Sequence, residues 1–136
     1  MADPQALAAL RAAAFAAMPQ AYAPYSKFRV GAALLTTDGE IIAGCNVENA
    51  AYPAGICAER VAMGAAVVRG FRHFTHVVVA TDAGTPTPPC GMCRQVLQEL
   101  APDCRVISVT SSGAEAEWAL ADLLPYPFEP SSLRDE

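Results

Sequence analysis

Positive charge is scarce in this chain. Nine lysines and arginines stand against fourteen aspartates and glutamates, for a formal charge of −5 over 136 residues. Phosphate backbones are gripped by Lys and Arg, so no nucleic-acid partner is expected. Long apolar runs are missing too, and no stretch suits a bilayer span, so no membrane partner is expected either. Met1-Ala2-Asp3-Pro4 carries an acid where an export signal needs positive charge; Asp3-Pro4 reads instead as a helix N-cap followed by the first helical position. The expected location is therefore cytoplasmic. The cysteines do not pair off: Cys45, Cys57, Cys90, Cys93 and Cys104 make five, which argues against a closed disulfide framework. Internal repeats and linkers are absent as well. With 53% hydrophobic residues, residues 1–136 read as a single domain around one core.

What is present alternates between helix and strand. Asp3 to Ala17 is dense in alanine, which is helix propensity, and stops near Met18-Pro19. Phe28 to Thr37 reads as a strand, with Asp38-Gly39 as a two-residue hairpin turn into Glu40 to Cys45. Asn46 to Ile56 has turn chemistry and no period. Cys57 to Arg69 reads as a helix, Thr75 to Thr81 as a buried strand, and Asp82 to Pro89 as a Pro-rich loop. Cys90 to Leu100 is a further helix, Arg105 to Thr110 a strand, and Ala114 to Trp118 an antiparallel return. A helical turn near Asp122 to Leu124 precedes a tail with Pro125, Pro127 and Pro130. Such alternation implies crossovers, with helices layered on a mixed sheet.

Two segments carry the chemistry: Cys57-Ala58-Glu59-Arg60 and Pro89-Cys90-Gly91-Met92-Cys93-Arg94. Each opens a predicted helix directly after a loop. Cys90 and Cys93 are one helical turn apart, so both sulfurs share a side. If the intervening strand returns the chain to the same sheet edge, both helix starts converge on one spot. Three thiolates with an open fourth position would then suit a catalytic zinc. Three thiolates oppose ionisation of a bound water. Two helix N-termini, at about half a charge each, and Arg60 counter that effect. Glu59, two residues after a ligand, can approach the water without ligating and move its proton.

The chain resembles the small homotetrameric cytidine deaminase family over nearly its whole length. The shared order is His-or-Cys, any residue, Glu, then Pro-Cys-x-x-Cys. The resemblance rests on Tyr25-Ser26-Lys27-Phe28-Arg29-Val30-Gly31-Ala32, Gly44-Cys45-Asn46-Val47-Glu48-Asn49, the two cysteine segments with Gln95, and Leu123-Leu124-Pro125-Tyr126-Pro127-Phe128. It implies a three-layer α/β/α sandwich around a five-stranded mixed sheet. It further implies one Zn²⁺ per chain on Cys57, Cys90 and Cys93, with Glu59 as proton shuttle and Arg60 supporting the thiolates. On the same ground, Asn46 and Glu48 hold the ribose, Phe28 lies against the pyrimidine ring, and Ala58 also binds the substrate. Ala50, Tyr52 and Phe128 would reach a neighbouring subunit's pocket. The implied reaction is hydrolytic deamination of cytidine and deoxycytidine in pyrimidine salvage.

Plainer readings compete. Cys90 and Cys93 could form a redox dithiol. A closed structural zinc would need a fourth ligand from His73, His76, Cys45 or Cys104. Glu59 could be an ordinary first-turn acid favoured by the helix dipole. Asn46 and Glu48 could be turn residues, and Phe28, alternating with Val30, could be core. The same chemistry could also serve another amine, or a polynucleotide.

Overall fold

Residues 3–134 are described by the computed structural model; Met1 and Ala2, part of the leader reading, and Asp135 and Glu136 lie outside them. Helix α1 (Pro4–Ala17) starts where Asp3 caps it, accepting from the amides of Gln5 at 2.7 Å and Ala6 at 3.1 Å. A 3-10 turn, Met18–Gln20, follows it. Strands β1 (Val30–Thr36) and β2 (Ile41–Cys45) form the expected hairpin, but its loop is Thr37-Asp38-Gly39. The Thr36 amide donates to the Glu40 carbonyl at 2.9 Å, and of the loop residues only Gly39 has positive φ, 89°. A two-residue type I′ turn needs positive φ at both central residues; three residues with a left-handed glycine fit instead.

The remaining elements are α2 (Ala58–Val68), β3 (Phe74–Thr81), α3 (Gly91–Leu100), β4 (Arg105–Thr110), β5 (Glu115–Ala119) and α4 (Leu120–Leu123). The last turn of helix thus starts two residues and ends one residue earlier than expected. Short 3-10 turns at Tyr52–Ala54 and Pro130–Leu133 had no signal of their own. Among the described residues, no helix is long and apolar enough to cross a membrane.

One mixed sheet runs β2-β1-β3-β4-β5. Strands β2 and β3 are both antiparallel to β1, so they run the same way; β3 and β4 are parallel. The chain therefore makes two parallel crossovers, β2-α2-β3 and β3-α3-β4. In each, the helix starts just beyond the C-terminal end of a strand, where binding sites of open α/β sheets gather. Both helices consequently begin at the same edge.

Alternation along the strands serves two cores. Ala33, Leu35, Val78, Ala80, Ile107 and Val109 pack with Leu10 and Ala14 of α1. Leu34, Val77, Val79 and Val106 pack on the other face with Met63 of α2 and Leu97 of α3. This is a three-layer α/β/α arrangement. Gly44 sets the depth of α2: a Cβ there would lie 2.5 Å from the Ala62 amide nitrogen and 2.8 Å from the Ala58 carbonyl oxygen. Only glycine lets β2 and α2 meet backbone to backbone.

Candidate active site

Cys57 and Cys90 are the N-cap residues of α2 and α3, both with extended backbone. Neither sulfur caps its own helix. They turn toward each other, with Cys57 Sγ 3.7 Å from Cys90 Sγ. Cys93, one turn into α3 and fully buried, completes a group whose three sulfurs lie within 4.8 Å of one another. Among the described residues no histidine and no carboxylate joins that group. His73 directly precedes β3 and His76 is its third residue, Cys45 ends β2, and Cys104 is buried in the core with Ala101 and Leu97. A closed four-ligand centre has no fourth ligand there, and a dithiol reading leaves the third sulfur unexplained.

Cys57 and Cys93 titrate together rather than independently. A hydrogen bond from Cys93 brings the Cys57 thiol down to about 5, with help from the Arg60 guanidinium, whose Nη2 lies 3.8 Å from Cys57 Sγ. Cys93 is pushed up, because it is the donor in that bond and would ionise in a buried place beside a thiolate. One thiolate is thus easily held and a second is resisted. Three can coexist only around a cation, and a soft sulfur donor set favours zinc. Arg60 Nη2 also donates to the Gly55 carbonyl at 3.4 Å, while its Nε is buried without a partner.

Glu59 occupies the core-facing side of α2. The buried residues of that helix are Ala58, Glu59, Ala62, Met63 and Ala66, so Glu59 lies one turn before Met63 on the same stripe. It is only 5% exposed. A first-turn acid present merely for the dipole would face water. Burial pushes its carboxyl up to about 7, and the Cys57 thiolate adds to that, while the Cys93 thiol and Arg60 oppose it.

Asn46 and Glu48 stand on a short ladder beside this centre. Val47 bridges to Tyr22 on one side and to Ile56 on the other, which fixes the segment directly before Cys57. Asn46 Nδ2 donates to the Phe28 carbonyl and its Oδ1 accepts from the Val30 amide, both at 2.8 Å. Glu48 Oε1 accepts from the amides of Tyr25 at 3.0 Å and Ser26 at 3.1 Å, and its other oxygen accepts from the Ser26 hydroxyl. These bonds hold its carboxyl below the usual range, the Ser26 hydroxyl most of all. The Asn46 and Ser26 side chains take the backbone groups of Phe28 and Val30, so β1 starts at Val30 rather than at Phe28. The Phe28 amide donates to Ser26 Oγ at 3.0 Å, and Lys27 before it is left-handed at φ 63°. Phe28 is 41% exposed and is not a core residue of this chain.

Tyr25, Ser26, Glu48, Asn49, Tyr52 and Gly55 line a cleft of about 390 Å³. Tyr25 and Tyr52 meet edge to face at 6.1 Å. A larger hollow of about 1080 Å³ opens at the opposite edge of the sheet, near Arg11, His73 and Glu117, and no residue of the cysteine centre lines it. Ala58 is fully buried as the first residue of α2, where a backbone N–H has no intrahelical acceptor. Ala50 is exposed; Tyr52, at 76%, and Phe128, at 57%, stand out from the surface. The Phe128 carbonyl accepts from Gln95 Nε2 at 2.8 Å. Ser26 and Arg94 are structural partners that residue spacing alone did not single out.

A three-cysteine centre that has no fourth protein ligand among the described residues, backed by a buried acid, defines an open zinc site of the hydrolytic type. Comparison with known proteins narrows the class. The family model for the cytidine and deoxycytidylate deaminase zinc-binding region matches residues 5–110. A cytidine deaminase of Halalkalibacterium halodurans is 45% identical over 116 residues, 85% of this chain and 88% of that protein. One from Sporosarcina psychrophila is 47% identical over 118 residues, 86% and 87%. The crystal structure of a cytidine deaminase from Burkholderia pseudomallei superposes with a TM-score of 0.86 at 46% identity, over 89% of this chain and 98% of that one. The chain belongs to the cytidine deaminase family, whose members are zinc-dependent hydrolytic deaminases.

Proposed function

We propose that this enzyme converts cytidine and deoxycytidine to uridine and deoxyuridine with release of ammonia, as a single cytoplasmic domain serving pyrimidine salvage. The observation that carries the reading is the buried Glu59 beside three sulfurs gathered from two helix starts. Cys57, Cys90 and Cys93 hold the zinc, and Arg60 offsets part of their charge. When bound there, zinc acidifies a water and so supplies a nucleophile at neutral pH.

The chain's own residues do the rest. Glu59 takes a proton from the water and delivers it to N3 of the pyrimidine as C4 is attacked. It then takes the second proton and hands it to the amino group, which leaves as ammonia. Both protons of one water are thus accounted for, on N3 and on the ammonia, by a single carboxylate.

Asn46 and Glu48 bind the sugar hydroxyls. Each retains capacity beyond its bonds to the loop, as a second amide hydrogen on Asn46 and further lone pairs on Glu48. Phe28 stacks on the base, and Ala58 offers its backbone N–H. Ala50, Tyr52 and Phe128 complete the pocket of a neighbouring subunit in a homotetramer, which would cover their exposed apolar surface. A nucleoside suits this site better than a nucleotide, because Glu48 would repel a phosphate. Zinc-edge absorption on active protein should find three sulfur neighbours at about 2.3 Å. A fourth sulfur, or a histidine nitrogen, would mark the centre as closed and contradict the reading.

A further inference from the structure

Arg94 follows Cys93 in α3, and its guanidinium spans two carbonyls. Nε donates to Pro89 at 2.8 Å and Nη1 donates to Leu123 at 2.9 Å. Pro89 directly precedes Cys90. Leu123 is the last residue of α4, where backbone carbonyls lack helical partners. Cys90 itself stands at the end of an irregular Pro-rich segment and is exposed. Its own helix places its backbone but not the peptide plane before it. That plane sets the direction from which the side chain leaves, and Arg94 holds it. Two residues before Pro89, the Thr87 carbonyl accepts from the Ser108 hydroxyl at 2.8 Å, a bond that does not involve Arg94. The next residue, Gln95, reaches the Phe128 carbonyl, further along the tail.

We propose that Arg94 is a positioning residue for the metal centre. By tying the Pro89 carbonyl to the end of α4 it fixes the direction of Cys90 Sγ, and so makes metal retention depend on the C-terminal segment. The proposal rests on Cys90 being a zinc ligand. Arginine suits the task because its planar fork presents donors at fixed angles to two acceptors at once. Lysine keeps the charge but is a point donor.

The test uses the full chain with Arg94→Lys, Arg94→Gln and Arg94→Ala, and Gln95→Ala as a neighbouring control. Two quantities are read: the rate of zinc loss to an excess of chromophoric chelator, and the sulfur-to-cobalt charge-transfer band of cobalt-loaded protein. Partners that orient a metal ligand commonly alter metal affinity by about 10–100-fold. Arg94→Gln should lose zinc faster by about that factor with an altered cobalt band, Arg94→Lys less so, and Gln95→Ala should match the wild type. Millimolar methylguanidinium should slow zinc loss from Arg94→Ala, a rescue that repair of general packing would not produce. Should Arg94→Gln fail to fold, Arg94→Lys decides the matter. Wild-type zinc loss and an unchanged cobalt band in the folded Arg94 variants would overturn the inference alone. A wild-type protein without any sulfur-to-cobalt band would overturn the ligand assignment, and the inference with it.

Discussion

A carboxylate placed on the buried stripe of a helix costs desolvation free energy, which Glu59 meets by rising to about 7 rather than by pairing with a cation. Its neighbours on the stripe, Ala58, Ala62, Met63 and Ala66, are all apolar. Glu48 behaves in the opposite way, satisfied by two amides and a hydroxyl of the loop it supports. If Asn46 and Glu48 also hold the sugar, free cytosine should be a poor substrate. We expect kcat/KM for cytosine to fall below that for cytidine by about 10²-fold or more, since sites built for hydroxyls reject analogues lacking them. Comparable values would contradict the sugar assignment. At this scale the three thiols were legible, because one-turn spacing and a helix start are local signals. Ser26 and Arg94 were not. Their bonds reach 22 residues to Glu48 and 29 residues to Leu123, and such pairings leave no period in the sequence.

At the scale of elements, the site exists because two crossover helices begin at one edge of the sheet. Their depth matters as much as their direction. Gly44→Ala would press a Cβ against the backbone of α2 at Ala58 and Ala62, neither of which is a flexible side-chain end. Overpacking of that kind typically costs about 1–3 kcal/mol. The denaturation midpoint should fall accordingly, and zinc should be held less tightly, because α2 carries Cys57 outward as it shifts. A variant with unchanged midpoint and zinc retention would show that the contact is slack. The helices and most strands were readable from caps and alternation to within a residue or two. The hairpin loop was misjudged because Asp-Gly is shared by two- and three-residue loops, and only the φ of Asp38 separates them. β1 began late because the side chains of Ser26 and Asn46 take over the backbone groups of Phe28 and Val30, an effect that alternation does not register.

The whole molecule leaves Tyr52, Tyr126 and Phe128 in the open, an unusual surface for a chain with so much apolar material inside. In the proposed assembly Phe128 would cover a neighbour's nucleoside. Phe128→Ala should then lower kcat/KM several-fold to tens of fold with zinc content intact, an aromatic contact contributing about 0.5–1.5 kcal/mol beyond area burial. Mixing Glu59→Gln chains with Phe128→Ala chains should regain activity through sites that combine an intact Glu59 with an intact Phe128. Activity equal to the mean of the parents, despite verified subunit exchange, would mean that each chain completes its own site. At this scale the expectation rests on family resemblance and not on spacing or periodicity in the sequence. Exposure of an aromatic side chain is a property of the folded surface, and a partner copy leaves no spacing to read.

In the proposed mechanism one buried carboxylate, Glu59, moves both protons of the hydrolytic deamination. That role is tested most directly by comparing wild type with Glu59→Gln for uridine and ammonia formed from cytidine, with zinc content measured on the same samples. A single-carboxylate mechanism predicts stoichiometric uridine and ammonia from the wild type. It predicts turnover lower by about 10²–10⁴-fold in Glu59→Gln, at full zinc occupancy. Near-normal turnover in zinc-loaded Glu59→Gln would contradict it.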